Sequence, residues 1–85
     1  MTRNKAIYDV TTTHGMRRKM IFRESREPNT HTYISVTNTR TGEYIEFPCR
    51  YQTSGDFLDI CEIWIREYFK QHLMHYKLVE FKGDT

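Results

Sequence analysis

The chain has little cysteine, proline or glycine. Its 85 residues include two cysteines, two prolines and four glycines. Cys49 and Cys61 are too few for a disulfide framework and do not form a CxxC pair. We interpret them as buried thiols in a reducing compartment, which predicts a cytoplasmic protein. No internal repeat or low-complexity segment is present.

The chain also lacks a long apolar run. A membrane-spanning helix needs roughly 20 apolar residues, and no stretch approaches that length. The first ten residues, MTRNKAIYDV, contain no apolar segment of the signal-peptide kind. We therefore expect neither membrane insertion nor secretion. Eighty-five residues predict a single domain over 1–85, and a chain this short is often supplemented by dimerisation.

The net charge is small, but its distribution is uneven. The formal charge is +2 overall, and residues 1–50 hold nine Lys or Arg against five Asp or Glu. Residues 51–85 hold four against six. Between Met16 and Arg26 there are five basic residues and one acidic residue, Glu24. Any basic surface is therefore expected in the first half.

The stretch Thr53–Tyr76 predicts one long amphipathic helix. At about 100° per residue, one line is apolar and the opposite line is charged. Thr53 or Ser54 can cap the first turn, and the early acids and late bases suit the helix dipole. The apolar line contains Phe57, Cys61, Trp64, Tyr68 and His75, and the charged line contains Asp59, Glu62, Arg66, Lys70 and Lys77.

The apolar arc of this helix is wider than one sheet face requires. The excess is carried by Ile63, Phe69, Leu73 and Met74. It can be covered by the chain's own tail, by a second copy or by a partner. Aromatic residues, Met and Arg are enriched at protein interfaces, and the chain has eight Arg against five Lys. These four residues are the predicted protein interface.

The first half predicts four strands. β-branched and aromatic residues alternate there with polar ones, and Gly15 and Gly42 mark turns. Pro48 lacks an amide hydrogen, so the fourth strand lies at an edge or ends there. The tail is either a short strand at Lys77–Lys82 or an extension of the helix to Phe81. The predicted strands are Lys5–Thr12, Met16–Glu24, His31–Asn38 and Glu43–Tyr51.

This order, β-β-β-β-α with a possible final strand, predicts an α+β fold. An antiparallel sheet of about four strands would pack one face against one long C-terminal amphipathic helix. The predicted core is Met20, Phe22, Ile34, Val36, Ile45, Phe47, Phe57, Cys61, Trp64, Ile65 and Tyr68.

The second predicted strand carries the candidate phosphate site. Alternation places Arg17, Lys19 and Arg23 on one face, where every second residue is about 6.6 Å along the strand, which is close to the phosphate spacing of a nucleic-acid strand. Alternatively, this is a solvated face paired with Glu24, Glu27, Glu43 and Glu46. The full candidate set is Arg17, Arg18, Lys19, Arg23, Arg26 and Arg40, with Tyr8, Tyr33 and Tyr44 as surface tyrosines for stacking.

Metal and catalytic motifs are weak. His72 and His75 share a predicted helix face, but a third ligand would have to come from His14, Cys49 or Cys61. No Gly-rich phosphate loop, paired-carboxylate motif or HExxH motif occurs. We expect no catalytic residues, no metal site and no cofactor, and therefore no enzyme.

The favoured hypothesis is a small binding module acting through protein–protein contact, with a homodimer possible. In size and build the chain resembles the compact accessory proteins of phages and other mobile elements. That resemblance implies an inhibitor that blocks a host factor. The alternative is nucleic-acid or nucleotide binding through the basic strand Arg17–Arg26.

Overall fold

A five-stranded antiparallel sheet with one α-helix across it forms the fold. The computed structural model describes residues 4–26, 32–49 and 54–83. The predicted α+β class is confirmed, and a fifth strand is present. The elements are β1 (Lys5–Thr12), β2 (Arg17–Arg26), β3 (Thr32–Asn38), β4 (Tyr44–Pro48), α1 (Ser54–Phe69) and β5 (Leu73–Lys82). The strand order in the sheet is β4-β3-β2-β1-β5.

Alternation in the sequence fixes which side of each strand faces the helix. On the helix side of the three central strands, Ala6, Tyr8, Val10, Met20, Phe22, Ile34 and Val36 are all at most 2% exposed. Their intervening residues form the second face of the sheet. The antiparallel register sets Tyr8 opposite Met20 and Phe22 opposite Val36. The centre of the core is therefore built by strands that are neighbours in sequence.

Two tight turns, one between β1 and β2 and one between β3 and β4, form where glycine was predicted to allow them. Gly15 and Gly42 have φ values of +76° and +77°, a region that strains residues with a Cβ. In the second turn, the Gly42 amide donates to the Asn38 carbonyl at 2.8 Å. β4 then runs only to Pro48 at the sheet edge, shorter than predicted, and Thr53 lies outside the described residues.

The helix buries one stripe against the sheet. Phe57, Cys61, Ile65 and Phe69 recur at four-residue spacing and are at most 6% exposed. Trp64 lies beside that stripe, with its ring edge-on to Phe22 at 5.6 Å between centroids. Each large apolar side chain buried this way contributes roughly 1.5–3 kcal/mol. This layer is the main source of stability.

The predicted helix end is wrong. Helix α1 ends at Phe69, followed by a 3-10 turn at Lys70–His72 in which Lys70 has φ +49°. The chain then becomes β5, which pairs with the outer edge of β1. Tyr76 and Phe81 of β5 pack beside the helix, where Tyr76 Oη donates to Glu62 and Phe81 stacks on Phe57. Pairing of the β1 backbone and these contacts outweigh continuation of the helix.

The predicted burial of two tyrosines is also corrected. Tyr68 is 41% exposed, and its hydroxyl donates to Glu43 at 3.0 Å. Tyr8, predicted as a surface residue, is 2% exposed because β1 lies second from the edge and its side chain points to the helix. Ile45, Phe47 and Trp64 are half-buried. Cys61 is fully buried as expected, whereas Cys49 is only half-buried.

Candidate functional site

The sheet face away from the helix is a polar surface rich in charged side chains. The strand registers order its side chains in rows that run across the sheet. One row is Lys82–Lys5–Arg23–Ser35–Glu46, the next is Glu80–Ile7–Ile21–Thr37–Tyr44, and the third begins Lys77–Asp9–Lys19. We call this surface the open face.

The first row places three cations on three neighbouring strands. Lys5 lies directly opposite both Arg23 and Lys82 in the register. Adjacent strands are about 4.8 Å apart. Within the described residues, no carboxylate lies within 4.0 Å of these three charged groups. Like charges opposite each other destabilise a sheet, so this row is a place where an anion would stabilise the protein.

The ridge predicted on β2 is present on the open face. Arg17, Lys19 and Arg23 are all exposed and share that side of the strand. Arg17 forms an ion pair with Asp9, at 3.8 Å, in which Arg17 remains 75% exposed. None of the predicted glutamate partners holds the ridge in the described residues. Glu24 faces the helix side, Glu43 accepts from Tyr68, Glu46 accepts from Tyr44, and Glu27 lies outside the described residues.

Two tyrosines lie at the β3–β4 end of the open face. Tyr44 is 59% exposed, and its hydroxyl donates to Glu46 Oε2 at 2.7 Å. This hydrogen bond raises the pKa of the Tyr44 phenol. Tyr33 is half-buried. A depression beside Tyr44 is lined by Ile21, Arg23, Glu24, Ser25, Ser35 and Thr37. It brings together an aromatic ring, an aliphatic side chain and a cationic residue.

The turn after β3 adds a further cation. The Thr39 amide and hydroxyl both donate to the Lys19 carbonyl, at 3.1 and 2.9 Å. The Arg40 amide donates to Asn38 Oδ1 at 3.0 Å. Arg40 thereby lines a depression together with Asp9, Arg17 and Lys19. Arg40, which was predicted to add charge to the basic strand, therefore lies beside Arg17 and Lys19.

One member of the predicted basic set, Arg18, does not lie on the open face. Arg18 lies on the helix side, where its guanidinium carbon is 5.3 Å from the centre of the Phe69 ring. The side chain of Arg26 lies outside the described part of the structure. Alternation within β2 accounts for Arg18, since neighbouring residues of a strand point to opposite faces.

The predicted protein interface is divided by the structure. Ile63 is 54% exposed on the outer side of the helix. Phe69 is 6% exposed and belongs to the core. Leu73 and Met74 lie on β5, where Leu73 is half-buried and Met74 is 64% exposed. The wide apolar helix arc does not exist, because the helix ends before two of its members.

The histidine and cysteine candidates do not form a centre. His72 lies in the 3-10 turn and His75 on β5, so they do not share a helix face. His14 lies near His72, with 5.6 Å between ring centroids. Among the described residues there is no group of three or more His, Cys, Asp or Glu that could hold a metal. Burial raises the pKa of the Cys61 thiol, which keeps it protonated and poorly nucleophilic.

Three of the six cations on the open face were not predicted from the sequence. Lys5, Lys77 and Lys82 join this face only because β1 and β5 lie beside β2 in the sheet. No family model, curated protein or solved structure matches the chain. The chemistry of the open face is therefore the available guide to function. Within the described residues, no helix combines the length and apolar character needed to cross a membrane.

Proposed function

We propose that the protein binds single-stranded nucleic acid on the open face. The observation that carries the proposal is the row Lys82–Lys5–Arg23, three cations on neighbouring strands with no carboxylate of the described residues within 4.0 Å of their charged groups. Phosphate oxygens accept hydrogen bonds from lysine and arginine and would remove the repulsion within the row. The amine of Lys5 and the guanidinium of Arg23 are the first expected contacts.

The balance of charge on the open face supports this choice. The residues pointing there carry twice as many cations as carboxylates. The cations are Lys5, Arg17, Lys19, Arg23, Lys77 and Lys82, and the carboxylates are Asp9, Glu46 and Glu80. The outer side of the helix instead carries Asp56, Asp59 and Glu67 against one exposed cation, Arg66. A basic surface confined to one face is typical of nucleic-acid binding.

The shape of the open face favours a single strand over a duplex. A broad sheet does not fit the major groove, which admits an α-helix or a two-stranded ribbon. Sheets instead bind unpaired nucleotides by stacking bases on exposed aromatic rings. Tyr44 offers such a ring beside the depression lined by Ile21 and Thr37. We place one base against Tyr44 and the adjoining phosphates on the cationic row.

The test is fluorescence anisotropy with a labelled single-stranded oligonucleotide of about 20 nucleotides, longer than one small domain usually covers. We expect binding that weakens steeply as salt is raised. Each phosphate contact on a single strand changes the slope of log K against log[salt] by about −0.7. The triple variant Lys5→Met, Arg23→Met and Lys82→Met should therefore reduce the slope by about 2.

Arg18→Met is the matched control. It removes a charge from the same strand but from the helix side. Binding should be unchanged in this variant and weakened about tenfold in Arg23→Met, the equivalent of about 1.4 kcal/mol. The proposal fails if the wild type does not bind at low salt, or if Arg18→Met and Arg23→Met weaken binding equally. RNA and DNA strands of the same sequence distinguish the two polymers.

A second candidate function is contact with a protein partner, such as inhibition of a host factor. The exposed Ile63 supports it, because Asp59 and Glu67 lie one helical turn to either side. An apolar centre with acidic neighbours suits a basic protein surface. A partner captured by the wild type should then be lost in Ile63→Asp and retained in Arg17→Met. Equal capture by the two variants would remove the helix as its binding surface.

A further inference from the structure

Strand β5 forms one edge of the sheet, and that edge is unpaired in the described structure. Most of the exposed large apolar residues of the sheet lie on this strand. It runs for ten residues and pairs only with β1 in the described sheet. Met74, Leu78 and Val79 are 64%, 39% and 47% exposed. A long apolar edge strand is a template for pairing with another strand. The question is which strand fits it.

An additional residue in β5 changes the sides to which its residues point. Leu78 pairs with Tyr8 and Glu80 with Ile7, so Val79 is inserted between two consecutive pairs. Lys77 and Glu80 therefore both lie on the open face, although they are three residues apart. Tyr76 and Phe81 likewise both lie on the helix side. From His75 to Lys82, residues at equal distances before and after the Leu78–Val79 peptide bond therefore point to the same side of the sheet: His75 and Lys82, Tyr76 and Phe81, and Lys77 and Glu80.

We propose that β5 pairs antiparallel with β5 of a second copy about a two-fold axis at that junction. In this register Lys77 lies opposite Glu80 of the second copy, and the symmetry repeats the pair. Tyr76 lies opposite Phe81, Leu78 opposite Val79, and His75 opposite Lys82. Both charged pairs lie on the open face and both aromatic pairs on the helix side. Opposite charges and aromatic pairs directly across two strands stabilise a sheet.

The shifted registers are less favourable. Moving the second copy by two residues in one direction sets Lys77 opposite Lys82, a repulsive pair. Moving it by two in the other direction sets Lys77, on the open face, opposite Leu78, on the helix side. A strand without the inserted residue could not pair about this axis, because facing residues would point to opposite sides. The inserted Val79 is what makes β5 self-complementary.

Pairing would join two five-stranded sheets into one sheet of ten strands. The two open faces would be continuous, with Lys82 beside His75 of the second copy. Isologous contacts of this kind are the usual way in which soluble homodimers form. If the proposed nucleic-acid function holds, one strand could contact the cationic rows of both copies. The dimer itself does not depend on that function.

The experiment is sedimentation equilibrium on the full chain over a concentration series. We expect the wild type to dimerise with a Kd well below about 1 mM. Glu80→Lys should weaken dimerisation at least tenfold, because it creates two Lys–Lys contacts. Adding Lys77→Glu to it should restore dimerisation. Thermal unfolding of each variant controls for folding, since Lys77 also lies opposite Asp9 of its own sheet.

A cross-linking measurement tests the same register without relying on charge. Lys77→Cys and Glu80→Cys are prepared separately and then mixed under mild oxidation. Directly opposite residues lie within disulfide range, so the mixture should form a linked dimer. Each variant alone should form several-fold less, because position 77 does not face position 77. A monomeric wild type, a dimer insensitive to Glu80→Lys, or equal linking in the separate samples would each overturn the proposal.

Discussion

The two faces of the sheet are built by the same strands and differ in almost every property. Toward the helix, β2 presents Met20 and Phe22, both at most 1% exposed. Toward solvent, it presents Lys19, Ile21 and Arg23. The helix side is buried and packed by ring contacts, such as Tyr8 edge-on to Phe22 at 5.8 Å. The open face is charged and held by its backbone ladder.

The difference separates the residues that stabilise the fold from those of the proposed binding surface. Residues on the helix side fill a packed layer, so changing their volume changes the free energy of unfolding. Residues on the open face are positioned by that layer and contribute little to it. Charges can therefore be concentrated on the open face at modest cost. Neighbouring residues of one strand allow the two roles to be tested with matched substitutions.

The largest expected contrast is between Phe22→Ala and Ile21→Ala. Phe22 is fully buried between Tyr8 and Trp64, so its truncation should lower the free energy of unfolding by about 3–5 kcal/mol. Ile21 is half-buried on the open face, and its truncation should cost about 1 kcal/mol or less. Urea unfolding measures both. Equal losses would show that the open face is also a packed layer, covered by something in solution.

The second contrast concerns alkaline pH. Burial raises the pKa of Tyr8 and of Cys61, so the folded protein keeps both protons while the unfolded chain releases them. Because the unfolded state then binds fewer protons, stability falls as pH rises. The contribution of these groups is fully present below about pH 8 and declines above about pH 9, where an exposed thiol and then an exposed phenol ionise.

Substitutions on the two faces should separate this effect. Tyr8→Phe and Cys61→Ala should each flatten the decline of melting temperature between about pH 8 and pH 11. Tyr44→Phe should flatten it less, since the pKa of Tyr44 is raised mainly by one exposed hydrogen bond to Glu46 rather than by burial. An unchanged slope in both Tyr8→Phe and Cys61→Ala would show that other groups control alkaline unfolding.

The comparison also shows what the sequence could and could not predict. Alternation in β2 and β3 identified the faces of Phe22, Val36 and Arg23 correctly, because the side-chain period of a strand is strict. The glycines at the two turns were also informative, because few other residues adopt the backbone angles that these turns require. These are local properties, and local patterns predict them.

The end of the helix was not predictable from pattern. In β5 two residues, Met74 and Val79, are inserted relative to β1. Each insertion interrupts the period of two, so the segment shows no clean strand signal. The helix also stops at Lys70 in a positive-φ conformation without a glycine to mark it. Tertiary pairing with β1 decides this segment.

The open face was predictable in part. Arg17, Lys19 and Arg23 followed from alternation within one strand. The cationic row needed the neighbours of that strand, and the order β4-β3-β2-β1-β5 is not encoded in any local pattern. Lys5 and Lys82 face each other only because the chain crosses from β4 at one edge, through the helix, to β5 at the other.

The smallest expected contrast is between Arg18→Met and Arg17→Met. Arg18 Nε is buried with no hydrogen-bond partner among the described residues, and an unsatisfied buried donor costs about 1–3 kcal/mol. Methionine removes that cost but also the contact of the cation with Phe69, worth about 0.5–1 kcal/mol. We therefore expect Arg18→Met to stabilise the protein by about 0–2.5 kcal/mol. Arg17→Met loses only an exposed ion pair with Asp9 and should change stability by less than about 0.5 kcal/mol. Melting temperatures of the two variants decide the matter, and destabilisation by Arg18→Met would show that its charge is satisfied by water or by a ligand at the helix side.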